Sequence, residues 1–307
     1  MPMLLFQKHF GVRNVAWLFL APNLILFGIF ALLPLLLNIA YSFTGGGEIL
    51  LGDRSYIGTE NFSVLLQCES YLDPQTCTED LFWRAVYNTL KFVLFQVVIM
   101  VGFALTTALI LNKKIIARGF FRSVFFFPVL LSPVVVALIW KWILQRNGLL
   151  NAGLDYMGFE KVLWLLEGDL AFAWSVFVSV WMHMGFYTLI ILAGLQAIPK
   201  DVYEAARMDS ASPFRMFHRI TLPLLMPTMM VVFLLAVIKG VQTFDEVYAL
   251  TGGGPGTTTT FIIQYIYETG FAGSPRLLGL AAAVSLLLAL ALVVLTAAQS
   301  LAKKRAT

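Results

Sequence analysis

The chain has 307 residues, 59% hydrophobic and 12% charged, with a mean hydropathy of +0.83 and a net charge of +4. That is too apolar for an ordinary soluble domain. The small positive balance reads as a membrane-topology signal, not as a nucleic-acid footprint.

Six runs contain no Asp, Glu, Lys or Arg: 14–47, 92–112, 123–140, 170–199, 220–238 and 277–302. Each holds a helix near the ~20 residues that cross the hydrocarbon core. Backbone in lipid must satisfy its own hydrogen bonds, so these runs are helices. The predicted spans are 16–42, 86–111, 120–145, 171–197, 223–248 and 277–300. The fold class is all-α: one six-helix membrane domain, 16–300, between an N-terminal segment 1–15 and a tail 301–307. Lys8 and Arg13 precede the first span as they would a signal peptide. The run is too long for a signal h-region and no small-x-small site follows a short one, so an uncleaved helix is expected.

Sorting the loops alternately places 13 Lys/Arg and 3 Asp/Glu on one side: the N-terminus, 112–122, 198–222 and the tail. The loops 43–85, 146–170 and 249–276 carry 5 Lys/Arg and 12 Asp/Glu. The positive-inside rule then makes both termini cytoplasmic.

The first external loop holds both cysteines, Cys68 and Cys77, in QCESYLDPQTCTED. A disulfide is chemically permitted on that side, and two free thiols in a flexible loop are the equal alternative. Near the outer end of span two, Asn88 and Lys91 contact either a solute path or lipid headgroups.

Span four carries Ser179, Met182, His183 and Phe186 at i, i+3, i+4 and i+7, one helical stripe, with Trp181 beside it. Span five carries Ala236, Gly240 and Thr243 likewise, with Gln242 adjacent. Such a stripe lines a polar path or packs against a neighbouring helix; small residues suit both. Lys239 is an ionisable group inside a predicted span and therefore a functional candidate. It either faces the path together with Asp245 or pairs with Glu246, seven residues on. His183 is similarly either scaffold or ligand contact.

Between spans four and five lies AIPKDVYEAARMDSASPFRMFHRITLPLLMP. Pro199 ends span four, Asp201 can cap a short helix, and Val202, Ala205, Ala206 and Asp209 share a face of it. Ser212 and Pro213 suit the N-cap and first position of a second helix. A solvated connector is the bland reading, but an ordered knob with a small-residue face suits docking into a partner's groove.

After span five, TGGGPGTTTT (251–260) is glycine-rich but lacks the Lys of a phosphate-binding loop. A flexible turn at the outer mouth, or a plain re-entrant turn, is expected. No GxxxxGK[ST], HExxH or GxSxG occurs, and the three histidines are scattered at 9, 183 and 218. An enzyme is therefore not expected, nor a cofactor or metal in this chain. The competing reading is an ion-coupled secondary transporter for a polar solute, using Lys239, Asp245 and Glu246.

The cytoplasmic segment resembles the EAA motif of ABC-importer permeases: Glu-Ala-Ala, three residues, Gly, nine residues, Ile-x-Leu-Pro. Glu204, Ala205, Ala206, Ile220, Leu222 and Pro223 match at that spacing, and Ser210 stands at the glycine position. LAPNLILF, YSFT, LAGLQAIPKDVYEAA, FDEVYALTGGGP and YIYETGF are similar to the carbohydrate-type branch. The resemblance implies the type I importer permease fold in a bacterial inner membrane, with 198–222 as coupling loop. It implies Glu204, Ala205, Ala206, Arg207, Asp209 and Ser210 as contacts to an ATPase dimer, which would hold ATP and Mg. It also implies a second, distinct six-helix permease subunit and an extracytoplasmic solute-binding protein, with a sugar or sugar derivative as solute.

Overall fold

A computed structural model describes residue 17, residues 19–113 and residues 115–306, the last five as backbone only. The segment 1–15 and the tail's basic side chains lie outside the described residues. Among those described the chain is helical, without strands; its bridges are Thr44 to Tyr56 and Cys68 to Cys77.

Helix α1 spans Phe19–Ser42, with a π-helical stretch at Gly28–Leu32 just before Pro34. Proline has no N–H and its ring collides with the carbonyl four residues back, so a widened turn ahead of it relieves the clash. A short α2 (Glu60–Leu66) follows. The 33-residue α3 (Asp80–Asn112) starts six residues before the sequence expectation and is ~50 Å long at 1.5 Å per residue.

Span three is not one straight helix. α4 (Arg118–Phe126) continues through a 3-10 turn to Leu130, and α5 (Pro133–Ile143) departs at 99°. Pro128 and Pro133 remove two ladder donors and bias the preceding residues away from helix, which accounts for the break. α6 (Leu149–Tyr156) leads to α7 (Gly168–Ala197), close to the predicted span four.

α8 (Lys200–Met208) is the first helix of the 198–222 segment. α9 (Pro213–Val241) enters the membrane through a π stretch at Phe217–Thr221, again two residues before a proline, Pro223. The expectation of one span to 248 is corrected. α9 stops at Val241, residues 242–244 are non-helical, and α10 (Asp245–Thr251) begins with two acids in its first turn. Those acids favour a fresh helix N-terminus, where the backbone dipole is positive. α11 (Ile262–Tyr267) and α12 (Leu278–Ala306) complete the chain. Among the described residues five helices are long and apolar enough to cross a membrane, six if the bent α4–α5 pair counts as one span.

The chain divides into two compact units. One runs through Leu66 and takes in Ile266–Leu290. Here Arg54 stacks on the Tyr41 ring at 5.4 Å and donates from Nε to Thr44 Oγ1 at 2.7 Å. Asn61 Nδ2 donates to the Ser42 and Thr44 carbonyls, and Gly279 lets the start of α12 approach the Thr44 carbonyl.

The other unit holds Gln67–Tyr265 and the chain from Ala291. Its centre is α3 packed along α7, with α9 against both. Phe92, Gln96, Met100, Ala104 and Ala108 recur every fourth residue on α3 and are fully buried. Opposite them lie Val176, Val180, Ile191 and Leu195 of α7, and Leu225, Val232 and Ala236 of α9. Glycines permit the closest approaches: an alanine at Gly185 would place Cβ 2.1 Å from the Phe125 carbonyl oxygen. A second cluster joins α5, α7 and α10 through Val136, Ala137, Val178, Met182 and Leu250. Trp140, Trp174 and Trp181 edge it, Trp140 lying 5.7 Å from each of the other two rings.

Candidate functional site

The 198–222 segment is built as two capped helices. α8 begins immediately after Pro199, whose fixed φ starts the helix without a side-chain cap. The expected cap, Asp201, instead sits in the first turn, and Arg207 in the last, each complementing the helix dipole. At the C-terminus the Ala211 N–H reaches the Ala206 carbonyl at 3.0 Å and the Ser210 N–H reaches the Arg207 carbonyl at 3.0 Å. This pair of bonds is a Schellman motif, and Ser210 occupies its left-handed position with φ +54°. The role of a glycine at this place in the motif is thereby physical: it is the C′ residue of α8. Ser212 then caps α9, its Oγ accepting from the Arg215 N–H at 3.4 Å, with Pro213 first in the helix as expected.

The small-residue face divides differently from the expectation. Ala206 is buried and Tyr203 packs against the central core, its hydroxyl 3.0 Å from Thr221 Oγ1. Those residues seat the knob on its own subunit, because a helix must bury one stripe to stay docked. Exposed around them are Val202, Glu204, Ala205, Arg207, Asp209 and Ser210, together with Met208 and Phe214. Met208 and Phe214 were missed by motif spacing; the signal for them is an apolar side chain left 86% and 73% exposed within a charged segment. A cavity of about 290 Å³ lies between α8 and the end of α3, lined by Asn112, Lys200, Tyr203, Glu204 and Arg207.

The stripes of spans four and five are sorted by packing. Ser179, Met182, Ala236, Gly240 and Thr243 are buried between helices, so within this chain they do not line an open path. Gly240 is held against the Gln96 amide: a Cβ there would come within 2.6 Å of Gln96 Oε1. Phe186, Gln242 and Asp245 are exposed, while Trp181, His183 and Lys239 are partly buried. Lys239 forms no ion pair with Glu246 or Asp245; the helix break between them removes the common face on which that pairing depended. Glu246 is almost fully buried and accepts from Ser179 Oγ at 3.3 Å, and His183 Nδ1 donates to the Ser179 carbonyl at 2.9 Å. Ser179, His183 and Glu246 thus meet where α10 crosses α7, a juxtaposition that spacing along span five alone could not give.

At the other end of α3 the 251–260 loop carries its own set of hydrogen bonds. Thr259 Oγ1 donates to the Gly254 carbonyl at 2.8 Å and lies 2.7 Å from Thr251 Oγ1, and Thr260 Oγ1 donates to the Gly253 carbonyl. Gly252 and Gly253 have φ of +65° and +91°, a backbone that side chains resist. Asn88, partly buried, ties this loop to α3: its amide donates to the Thr257 and Thr260 carbonyls. Lys91 lies over the Phe172 ring at 4.6 Å. Cys68 and Cys77 are joined by a disulfide in a short hairpin beside the start of α3. Among the described residues no cluster of His, Cys, Asp and Glu is suited to a metal.

Residues 99–307 match the family model described as binding-protein-dependent transport system inner membrane component. A probable ABC transporter permease of Sinorhizobium fredii is 33% identical over 86% of this chain and 82% of its own length. The multiple sugar-binding transport system permease MsmF of Streptococcus mutans is 32% identical over 92% of this chain and 91% of its own. A subunit of a bacterial ABC transporter that imports the acidic polysaccharide alginate has the same fold, with TM-score 0.81, 24% identity and 98% of both chains covered. With five to six apolar spans among the described residues, an ordered EAA segment and these relatives, the chain belongs to the binding-protein-dependent inner membrane component family and is a multi-pass permease subunit of an ABC importer.

Proposed function

We propose that this subunit carries a sugar or sugar derivative into the cytoplasm as half of a two-permease pore, driven by ATP hydrolysis in a separate ATPase pair gripping α8. The observation that supports the coupling role is the division of α8 into a seated face and a free one. Tyr203 and Ala206 tie the helix to the transmembrane core, while Glu204, Ala205, Arg207, Met208 and Asp209 stay available to a partner. Movement of the free face is transmitted through the Tyr203–Thr221 contact into α9 and through Ala197–Lys200 into α7. A rigid lever of this kind needs both ends ordered, and the Schellman and Ser212 caps supply that order. ATP and Mg belong to the partner ATPase, and solute reaches the outer mouth on a binding protein. Sugar as the solute class is supported by relatives named for sugar transport, and Phe186, Gln242 and Asp245 are the accessible candidates for solute contact.

The test is Glu204→Lys in the assembled transporter reconstituted in vesicles. The charge reversal lies on the free face, so the subunit should fold and assemble while solute uptake per ATP hydrolysed falls at least tenfold. Unchanged coupling would remove α8 from the proposed role.

A further inference from the structure

The disulfide hairpin has more order than a connector between spans requires. Residues 67–78 fold back on themselves, with the Thr78 N–H on the Gln67 carbonyl at 3.0 Å and the Glu69 N–H on the Thr76 carbonyl at 3.3 Å. Thr76 Oγ1 both accepts from the Ser70 N–H and sits 3.0 Å from the Ser70 carbonyl, and Asp73 caps the turn through the Gln75 N–H. The Cys68–Cys77 bond closes the base. The Tyr87 hydroxyl donates to the Tyr71 carbonyl, and the Tyr71 ring lies 5.2 Å from Trp83, so the hairpin is braced against the first turns of α3. Yet its tip holds Leu72 at 89% exposure beside a half-exposed Tyr71.

Its place in the fold limits what can cover that tip. α3 begins at the hairpin and ends at Asn112, which lines the cavity beside α8. The hairpin and the proposed ATPase lever therefore lie at opposite ends of a helix ~50 Å long. A disulfide persists in the oxidising compartment outside the cell membrane. From Ser55 to Trp83 the chain holds Glu60, Glu69, Asp73, Glu79 and Asp80 but no Lys or Arg. This lacks the cations that would hold the segment on anionic headgroups. The family is described as binding-protein-dependent, and a protein that delivers solute for import meets the permease on this outer side.

We propose that the hairpin 67–78 is a fixed docking pin for that solute-binding protein, with Leu72 entering an apolar depression rimmed by Lys or Arg. Rigidity is the point of the disulfide: a pre-ordered apolar tip loses little entropy on binding, and a buried anchor residue carries most of an interface's energy. The inference rests on the importer reading above and names a contact within it.

Two measurements on the complete transporter separate the two. In the first, a photo-crosslinking amino acid replaces Leu72 in native membranes. An adduct with a soluble solute-binding protein supports the pin; an adduct only with lipid or with another membrane subunit overturns it. In the second, ATP hydrolysis by the reconstituted complex is titrated with the binding protein so identified, or, if none is captured, with the one retained by the unmodified complex. For Leu72→Glu the half-saturating concentration should rise at least tenfold with the saturated rate unchanged. Stimulation identical to the unmodified complex sinks the pin and leaves the importer reading standing. Failure of any binding protein to stimulate the unmodified complex sinks both.

Discussion

Ser210 shows how one residue records a backbone requirement. At φ +54° it occupies a conformation that costs an L-residue about 1–2 kcal/mol relative to right-handed helix, and glycine removes that strain. Ser210→Gly should stabilise the subunit by about 0.5–1 kcal/mol, since glycine's looser unfolded chain takes back part of the gain. The check is the thermal midpoint of the detergent-solubilised protein, together with slower amide exchange at 206–212; a lower midpoint would show that serine's side chain contributes something the backbone does not need. The motif spacing in the sequence marked position 210 as special. Only the bonds from Ala211 to Ala206 and from Ser210 to Arg207 showed why. Asn88 is the reverse case: nothing in its neighbours announced that it would hold a loop 169 residues away.

At the scale of elements, the apolar runs located every span, and the errors fell at their breaks. Spans three and five look continuous in hydropathy because residues 131–132 and 242–244 are not charged. They are broken in the structure because proline donors are missing in one case and a new acidic helix start intrudes in the other. That second break separates Lys239 from Glu246 and turns Glu246 toward Ser179 of α7. The bent span three is seated through Gly185, against whose Cα the Phe125 carbonyl packs. Gly185→Ala should destabilise by about 3 kcal/mol, the upper range for overpacking, because the obstructing atom is backbone and cannot rotate away. A thermal midpoint equal to that of the parent protein would mean that α4 does not rest on α7 there.

For the whole molecule, the exposed face of α8 leaves surface for a partner. Gentle solubilisation from the native membrane should therefore yield a complex whose mass includes an ATPase pair and a second six-span subunit. A homo-oligomer without ATPase, active in a proton or sodium gradient, would return attention to Lys239, Asp245 and Glu246.

The sequence by itself determined the solvent, the helical class, the approximate positions of the apolar helices and the segment that carries the EAA spacing, because each is written in local composition or in fixed spacing. Hydropathy needs no partner to be read, and neither does a cap such as Ser212–Pro213. Tertiary structure decided which polar residues are buried and against what: Ala206 and Tyr203 inward on α8, Ser179 and Met182 into packing, Glu246 onto Ser179, and the threonines of 251–260 onto glycine carbonyls. The physical reason is that helical period gives a stripe but not its neighbour. In a membrane, small and polar residues suit a helix contact and a solute path equally, and only the packed partner distinguishes them.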